Sequence, residues 1–364
     1  MKKIGIITIY DNNNYGNRLQ NYAVQQFFKE MGYITETIKN DSIRNQANAR
    51  NLKEVLKKIK KFLAIIKIHI QRWKKDRKGL RKQNFKNFNK NFIKFANKKI
   101  TYKNAKKMNK EYDYFAVGSD QVWNPEFLRL SPIDLLYFAD PSKRLSFSAS
   151  FGISELPDKN KKQAKEELEK FKAISVREEN GKTIVNSLLN KEKAEVLLDP
   201  TMLIDEKEWD KVIKKPNQNV PNKYILTYFL GNLSEKRKKQ ISSFAKENDC
   251  EIINLLDENS TFYQCGPSEF LYLEKNAFFI CTDSFHSCVF SILFEKPFLV
   301  FNREEKVKDM NSRINTLLET FELKNRIYEG KITNENLIFE NNQLKNKLEE
   351  QRKKSKQFFK QIFI

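Results

Sequence analysis

Short apolar runs alternate with amphipathic stretches along almost the whole chain, and this alternation constrains the fold more than any other feature. Ile4–Tyr10, Tyr33–Ile38, Tyr112–Val117, Arg144–Ala149, Ala173–Val176 and Ala194–Leu198 read as strands, with helical spacing over Gly16–Met31 and Glu178–Leu189 between them. The polar stretch from Lys214 to Pro221 reads as a linker. A second cycle follows, with strands at Tyr224–Phe229, Glu251–Asn254, Ala277–Cys281 and Phe298–Phe301. Its helices fall at Ser234–Asn248, Ser268–Lys275, Ser284–Phe294 and Ser312–Phe321. Strand and helix in repetition imply crossover connections, hence parallel sheets with helices on their faces. The expected fold is α/β, with two Rossmann-like domains facing a central cleft, a basic helical insert and a long C-terminal helix. Residues 1–215 would form the first domain, including the insert at 45–110; residues 216–330 the second; residues 331–364 the terminal helix. A length of 364 residues suits two domains of roughly 100–200 residues each.

Charge singles out one segment. The chain carries a formal net charge of +22, and residues 51–110 hold 22 Lys and Arg against two acids, Glu54 and Asp76. Such a segment suits an anionic lipid surface or an anionic polymer, or it is a solvated lysine-rich insert. No helix-turn-helix, RNP or zinc-finger pattern accompanies it, so nucleic acid is not an expected partner. Phe85, Phe88, Phe92 and Phe95 recur at three and four residues and read as a packing face. His69, among Ile65, Ile66, Ile68 and Ile70, reads as a helical residue rather than a catalyst. No stretch of about 20 apolar residues exists; Phe62–Ile66 is closed off by Lys61 and Lys67. The apolar run after Met1-Lys2-Lys3 ends in Asp11-Asn12-Asn13-Asn14, which favours a first strand over a signal peptide. A cytoplasmic protein is expected, peripheral at the inner membrane face if the insert binds lipid. Cys250, Cys265, Cys281 and Cys288 lack metal-ligand spacing and read as reduced structural thiols, so no metal is expected.

Several strand ends carry chemistry. Thr282-Asp283-Ser284-Phe285-His286 places one of two histidines where a strand gives way to a helix. Open α/β sheets bind ligands at that edge, and helix N-termini there favour anions. Imidazole can both give and take a proton near neutrality. At Tyr15-Gly16-Asn17-Arg18 a glycine permits close backbone approach, and Arg18 can fork onto a phosphate or carboxylate. Ser119, Asp120, Gln121 and Trp123 follow a strand and combine amide, carboxylate and indole, a mixture suited to sugar hydroxyls and the C–H face of a ring. Arg177 occupies another strand-to-helix corner, and Arg313 opens a helix from which it can reach an anion over His286; a surface position is the alternative for each. Asp199-Pro200-Thr201 reads as a structural cap. The chain has no G-x-G, no Walker loop, no Asp-x-Asp and no G-x-S-x-G, which disfavours bound dinucleotides, P-loop nucleotides, metal-bound nucleotide sugars and serine hydrolysis.

Taken in order, Tyr15–Ala23, Val117–Asn124, Ser148–Gly152, Ser175–Glu178, Leu198–Thr201 and Thr282–His286 resemble the polysaccharide pyruvyl transferase family, over roughly residues 4–320. The resemblance implies a fold like that of GT-B glycosyltransferases. It also implies transfer of pyruvate from phosphoenolpyruvate onto two hydroxyls of a sugar or lipid-linked oligosaccharide, forming a cyclic ketal in cell-surface polysaccharide assembly, with no cofactor besides the donor substrate. The family's catalytic His falls on His286, and Asp120 is the expected base on the acceptor hydroxyl. Where many members have Arg two residues before that His and Gly after it, this chain has Ser284 and Ser287. Arg18, Arg177, Arg313 and Ser284 are then the expected donor ligands, and Asn17, Ser119, Gln121 and Trp123 the acceptor ligands. The alternatives are a GT-B-type glycosyltransferase using an activated sugar, and a basic peripheral glycan-binding protein without catalysis.

Overall fold

The computed structural model describes residues 1–11, 13–42, 77–303, 312–339 and 343–363. Residues 45–76 of the expected insert, with His69, lie outside the described residues. The first sheet contains β1 (Lys3–Ile7), β2 (Ile34–Thr37), β3 (Tyr114–Asp120), β4 (Arg144–Ala149), β5 (Ile174–Val176) and β6 (Ala194–Val196). All its pairings are parallel, in the order β2-β1-β3-β4-β5-β6. The second contains β7 (Tyr224–Tyr228), β8 (Glu251–Asn254), β9 (Phe279–Thr282) and β10 (Phe298–Val300), parallel in the order β10-β9-β7-β8. Every residue of β3, β4, β7 and β9 is buried. That explains the apolar runs of β3, β7 and β9, because a strand covered on both faces needs no polar alternation; β4 instead carries Arg144, Ser146 and Ser148, whose polar groups are hydrogen-bonded.

Helices longer than two turns connect or follow these strands. They are α1 (Tyr15–Glu30), α2 (Arg77–Phe92), α3 (Asp158–Leu168), α4 (Glu179–Leu189), α5 (Glu235–Glu247), α6 (Pro267–Asn276), α7 (Phe285–Leu293), α8 (Ser312–Thr320) and α9 (Leu344–Ile362). The two sheets repeat one plan. In each, the chain leaves its first strand toward one side, then returns across it to place the third strand on the other side. The order therefore reverses between β1 and β3 and again between β7 and β9. Crevices open at such switch points, outside the carboxyl ends of the strands.

α1 lies between the sheets and is buried along most of its length, although it carries Gln20, Asn21 and Gln25. The amides of Gln20 and Gln25 are satisfied, while Asn21 is bonded through Oδ1 and its Nδ2 has no partner. Gln20 donates to Thr8 Oγ1 at 2.8 Å and accepts from the Ser119 amide at 3.1 Å. Gln25 donates to Thr37 Oγ1 at 2.8 Å, and Thr37 donates to Asn21 Oδ1 at 2.6 Å. A buried polar group with its bonds made carries no desolvation penalty and fixes one register of helix on sheet. One continuous apolar cluster joins the two halves, running from Ile4, Tyr15 and Phe27 to Leu226, Phe270 and Phe290.

The tail differs from the expectation of a terminal helix over residues 331–364. Asn334–Leu337 is a single 3-10 turn, closed by the Asn336 side chain accepting from the Thr333 amide at 2.8 Å. The helix proper is α9, and it packs back across the first sheet. Phe359 lies 5.4, 5.3 and 4.6 Å from the rings of Phe27, Phe28 and Phe147. Arg352 donates to the carbonyls of Met202 at 2.8 Å and Ile204 at 3.0 Å. On α2, Phe85 and Phe88 face inward as their spacing predicts. All four cysteines are free. Among the described residues no helix is long and apolar enough to cross a membrane, and no group of His, Cys, Asp and Glu has metal-binding geometry.

Candidate active site

A cavity of about 400 Å³ lies where the two switch points face each other. From the first half come Asp11 after β1, Asn17 on α1, Asp120 and Gln121 at the end of β3, and Phe127 and Arg129 from the following turn. From the second come Leu230 after β7, Asp283 and Ser284 after β9, His286 on α7, Arg303 after β10, and Arg313 on α8.

His286 is 6% exposed. Its imidazole lies flat against the opening of α1: a Cβ built on Gly16 would sit 2.0 Å from His286 Nδ1. Glycine is what lets the ring occupy that space. Nε2 has no hydrogen-bond partner and faces Asp199 Oδ2 at 3.7 Å. Burial lowers the His286 pKa from its ordinary 6.5; Asp199 and Asp120 pull it upward, while Arg177 and Arg313 add to the lowering. The ring is therefore neutral at pH 7 while the cavity holds no anion.

Beneath the cavity floor, Arg177 bridges two carboxylates, Asp120 Oδ1 at 3.0 Å and Asp199 Oδ2 at 2.8 Å. Its guanidinium lies 4.3 Å from the centre of the Phe285 ring, a cation–π geometry. Asp199 also accepts from Ser119 Oγ at 2.8 Å and from the Thr201 amide and hydroxyl at 3.0 and 2.7 Å. Burial alone would raise its pKa, but His286, Arg177 and these hydrogen bonds outweigh burial and hold it at about 2. Asp120 is likewise held below its usual range: burial opposes ionisation, and Arg177, His286 and Arg313 overcome it. Its backbone takes the left-handed φ of 66°, uncommon for a non-glycine residue and frequent at ligand sites.

Arg313 is buried, with Nη1 3.9 Å from Asp120 Oδ1 and Nε unpartnered. Burial, then the neighbouring Arg177 charge, lowers its pKa to about 10, so it stays cationic at neutral pH. With the Gln121 amide turned to accept from it, Arg313 donates to that oxygen at 3.1 and 3.3 Å. Arg303 Nε donates to Asp283 Oδ2 at 2.9 Å, and Asp283 also accepts from the amides of Leu230 and Gly231 at 2.6 and 2.8 Å. Ser287 turns away from the cavity and donates to the buried Glu274 at 2.6 Å.

Of the residues singled out in the sequence, Asn17, Asp120, Gln121, Ser284, His286 and Arg313 meet at this cavity. Ser119 and Arg177 lie below it, bonded to Asp199. Neither of these two expected ligands therefore lines the cavity, and two further expectations need correction. Trp123 is fully buried between Phe151 and Phe171, and its indole N–H donates to the Asp134 carbonyl at 3.0 Å, so it offers no face to a sugar. Arg18 is fully buried as well, donating to the Ile9 carbonyl and to Asn89 Oδ1; its charge ties a loop to a helix and does not reach the cavity. Asp199 was the residue overlooked: the cap expected of it is real, but only Oδ1 makes it, and Oδ2 faces Arg177 and His286. Its position at a strand end was the available signal. Arg129, Arg303 and Phe127 sit in turns without periodicity, which gave no signal.

A family model for polysaccharide pyruvyl transferase matches residues 14–305, most of the chain. No curated protein matches the sequence significantly. Among solved structures, the chain is similar to UDP-N-acetylglucosamine 2-epimerase from Rickettsia bellii, with a TM-score of 0.49 and 12% identity over 99% of this chain and 96% of that one. It is also similar to UDP-GlcNAc 2-epimerase from Neisseria meningitidis (TM-score 0.45, 12% identity, 98% and 94% covered). A third is MurG of Acinetobacter baumannii (TM-score 0.42, 10% identity, 98% and 95% covered).

Proposed function

The chain belongs to the polysaccharide pyruvyl transferase family, and from that premise we propose that it moves the pyruvyl group of phosphoenolpyruvate onto two hydroxyls of a sugar acceptor in surface-glycan assembly. The observation that carries this reading is the meeting of an unpartnered imidazole with the Arg313 guanidinium in one small cavity. A small donor bearing both a phosphate and a carboxylate suits Arg303, Arg313 and the amino end of α7, because guanidinium forks and helix N-termini both favour such oxygens.

The proposed reaction begins with a proton delivered to the donor's methylene carbon. The adjacent carbon becomes oxocarbenium-like, and one acceptor hydroxyl bonds to it. The carbon–oxygen bond to phosphate then breaks, its electron pair leaving with phosphate, and the neighbouring hydroxyl closes the ketal. Carbon gains one proton and the two hydroxyls lose two, so phosphate leaves with the other. His286 is the proton donor. A dianion bound beside it reverses the effect of burial, since opposite charge favours the protonated ring. Asp120, with a lowered pKa and Oδ1 held by Arg177, suits orienting the acceptor hydroxyl better than removing its proton, which passes to the departing phosphate. Half-exposed Phe127, at the cavity mouth, takes the role expected of Trp123, presenting an apolar face to the sugar ring. No second cofactor enters this scheme.

Phosphate release from phosphoenolpyruvate with a galactosyl or mannosaminyl acceptor tests the reading. In D₂O the product methyl group should carry one solvent deuteron. His286→Ala should lower turnover by roughly 10²–10⁴-fold with the fold intact. Unchanged turnover in that variant, or nucleotide release from an activated sugar instead, would overturn the assignment.

A further inference from the structure

A second cavity of about 400 Å³ lies beside the first, lined by Tyr10, Lys39, Lys86, Asn89, Lys90, Ile93 and Phe95. It occupies the carboxyl end of β1 and β2, the same sheet edge, and the two cavities share a wall. Ile9 lines one and the next residue, Tyr10, lines the other. The wall is completed by Arg18, whose bonds to the Ile9 carbonyl and to Asn89 Oδ1 span it. The arginine expected to be a donor ligand is thus the partition that fixes the spacing of two sites.

Three lysines line this cavity, with no carboxylate among the lining residues. Lys86 and Lys90 stand one turn apart on α2, on one face of the helix. Lys39 lies over the Phe95 ring at 4.3 Å. The neighbouring acid, Asp41, accepts from the Tyr10 hydroxyl at 3.3 Å and is paired with Lys99 at 3.0 Å. Like charges gathered in a concavity repel, and the Ile93 and Phe95 floor strengthens any charge interaction above it by excluding water. An anion relieves both. Lysines act as point charges without the planar fork that a carboxylate prefers, so clustered ammonium groups suit a phosphate.

We propose that this cavity is an anion subsite that holds a phosphate group carried by the acceptor glycan while its terminal sugar lies in the catalytic cavity. The proposal rests on the transferase reading for its sugar, but not for its anion. Two assays on the full chain separate them. Titration with inorganic pyrophosphate should show about tenfold weaker binding in Lys86→Gln/Lys90→Gln, with affinity kept in Arg313→Gln. Equal affinity in the wild type and the lysine variant overturns the subsite, whatever turnover shows. Loss of pyrophosphate binding in the lysine variant, in a protein that releases no phosphate from phosphoenolpyruvate, would sink the transferase reading and leave the anion subsite standing. In turnover, the same variant should raise KM about tenfold for a sugar 1-phosphate acceptor and leave KM unchanged for the methyl glycoside and for phosphoenolpyruvate. An equal rise for both acceptors overturns it. So does a defect confined to sedimentation with phosphatidylglycerol vesicles, which would make the cavity a contact for bilayer headgroups.

Discussion

At the scale of single residues, Gly16 and His286 form one device. The glycine exists for the ring that covers it, since any side chain there meets the imidazole. Gly16→Ala should lower kcat by about 10²-fold, the cost of misplacing a catalytic group by an ångström or so. Thermal stability should fall modestly, because the better helix propensity of alanine offsets only part of the cost of pushing a buried ring aside. Parallel melting and rate measurements check this; near-normal kcat would mean that the ring does not work from this position. The His286 pKa gives a second prediction. If the protonated ring is the donor, rate falls as pH rises. The limb in kcat/KM should begin below pH 6.5, because burial lowers the free-protein value, whereas the limb in kcat should lie at higher pH, because the bound dianion raises it. Coincident limbs in the two profiles would argue against this role. His286 and Asp120 were legible in the sequence because each follows a buried run directly. Trp123 misled for a physical reason: an indole is mostly apolar, and a single backbone carbonyl satisfies its one donor.

At the scale of elements, both halves of the site depend on strands that stop at the same edge, and those were legible because each apolar run is bounded by a turn signal. Helix ends moved by a residue or two, as in α1 and α7, without moving the site. The destination of the last helix was not legible. A mostly polar helix can stand free or dock, and it is the aromatic surface of Phe27, Phe28 and Phe147 that decides for docking. Phe359→Ala should cost about 3–5 kcal/mol, read as a lower urea midpoint. Turnover per folded molecule should stay constant, because Phe359 does not line the cavity. A loss of turnover without a loss of stability would contradict this account of α9.

At the scale of the whole molecule, one buried network of charges couples stability to pH. Asp199 has a folded pKa of about 2, below the 3.8 of an exposed group. Its stabilisation is complete above pH 4 and is lost as pH falls toward 2, on the order of 2 kcal/mol. His286 acts in the same direction from a higher pH: its folded pKa is lowered, so the unfolded chain takes up a proton first as pH falls below 6.5. Urea midpoints should therefore decline in two stages on acidification, and His286→Asn should remove the first. Arg177→Met should cost about 3–5 kcal/mol at pH 7, because it leaves two carboxylates buried without their cation. A midpoint that rises on acidification would refute the coupling. None of this network could be assigned from spacing alone, since Asp120, Arg177 and Asp199 meet only once three crossovers have been made.

Because Phe359 closes the aromatic face of Phe27, Phe28 and Phe147, rings made earlier in the chain wait for one made much later. At about 5–20 residues per second, a ribosome takes roughly 15–65 s to travel from the first of these rings to the one that covers it. From the time β4 delivers Phe147 until Phe359 emerges, that face lacks its cover, which makes synthesis, more than the finished molecule, the moment when a chaperone matters.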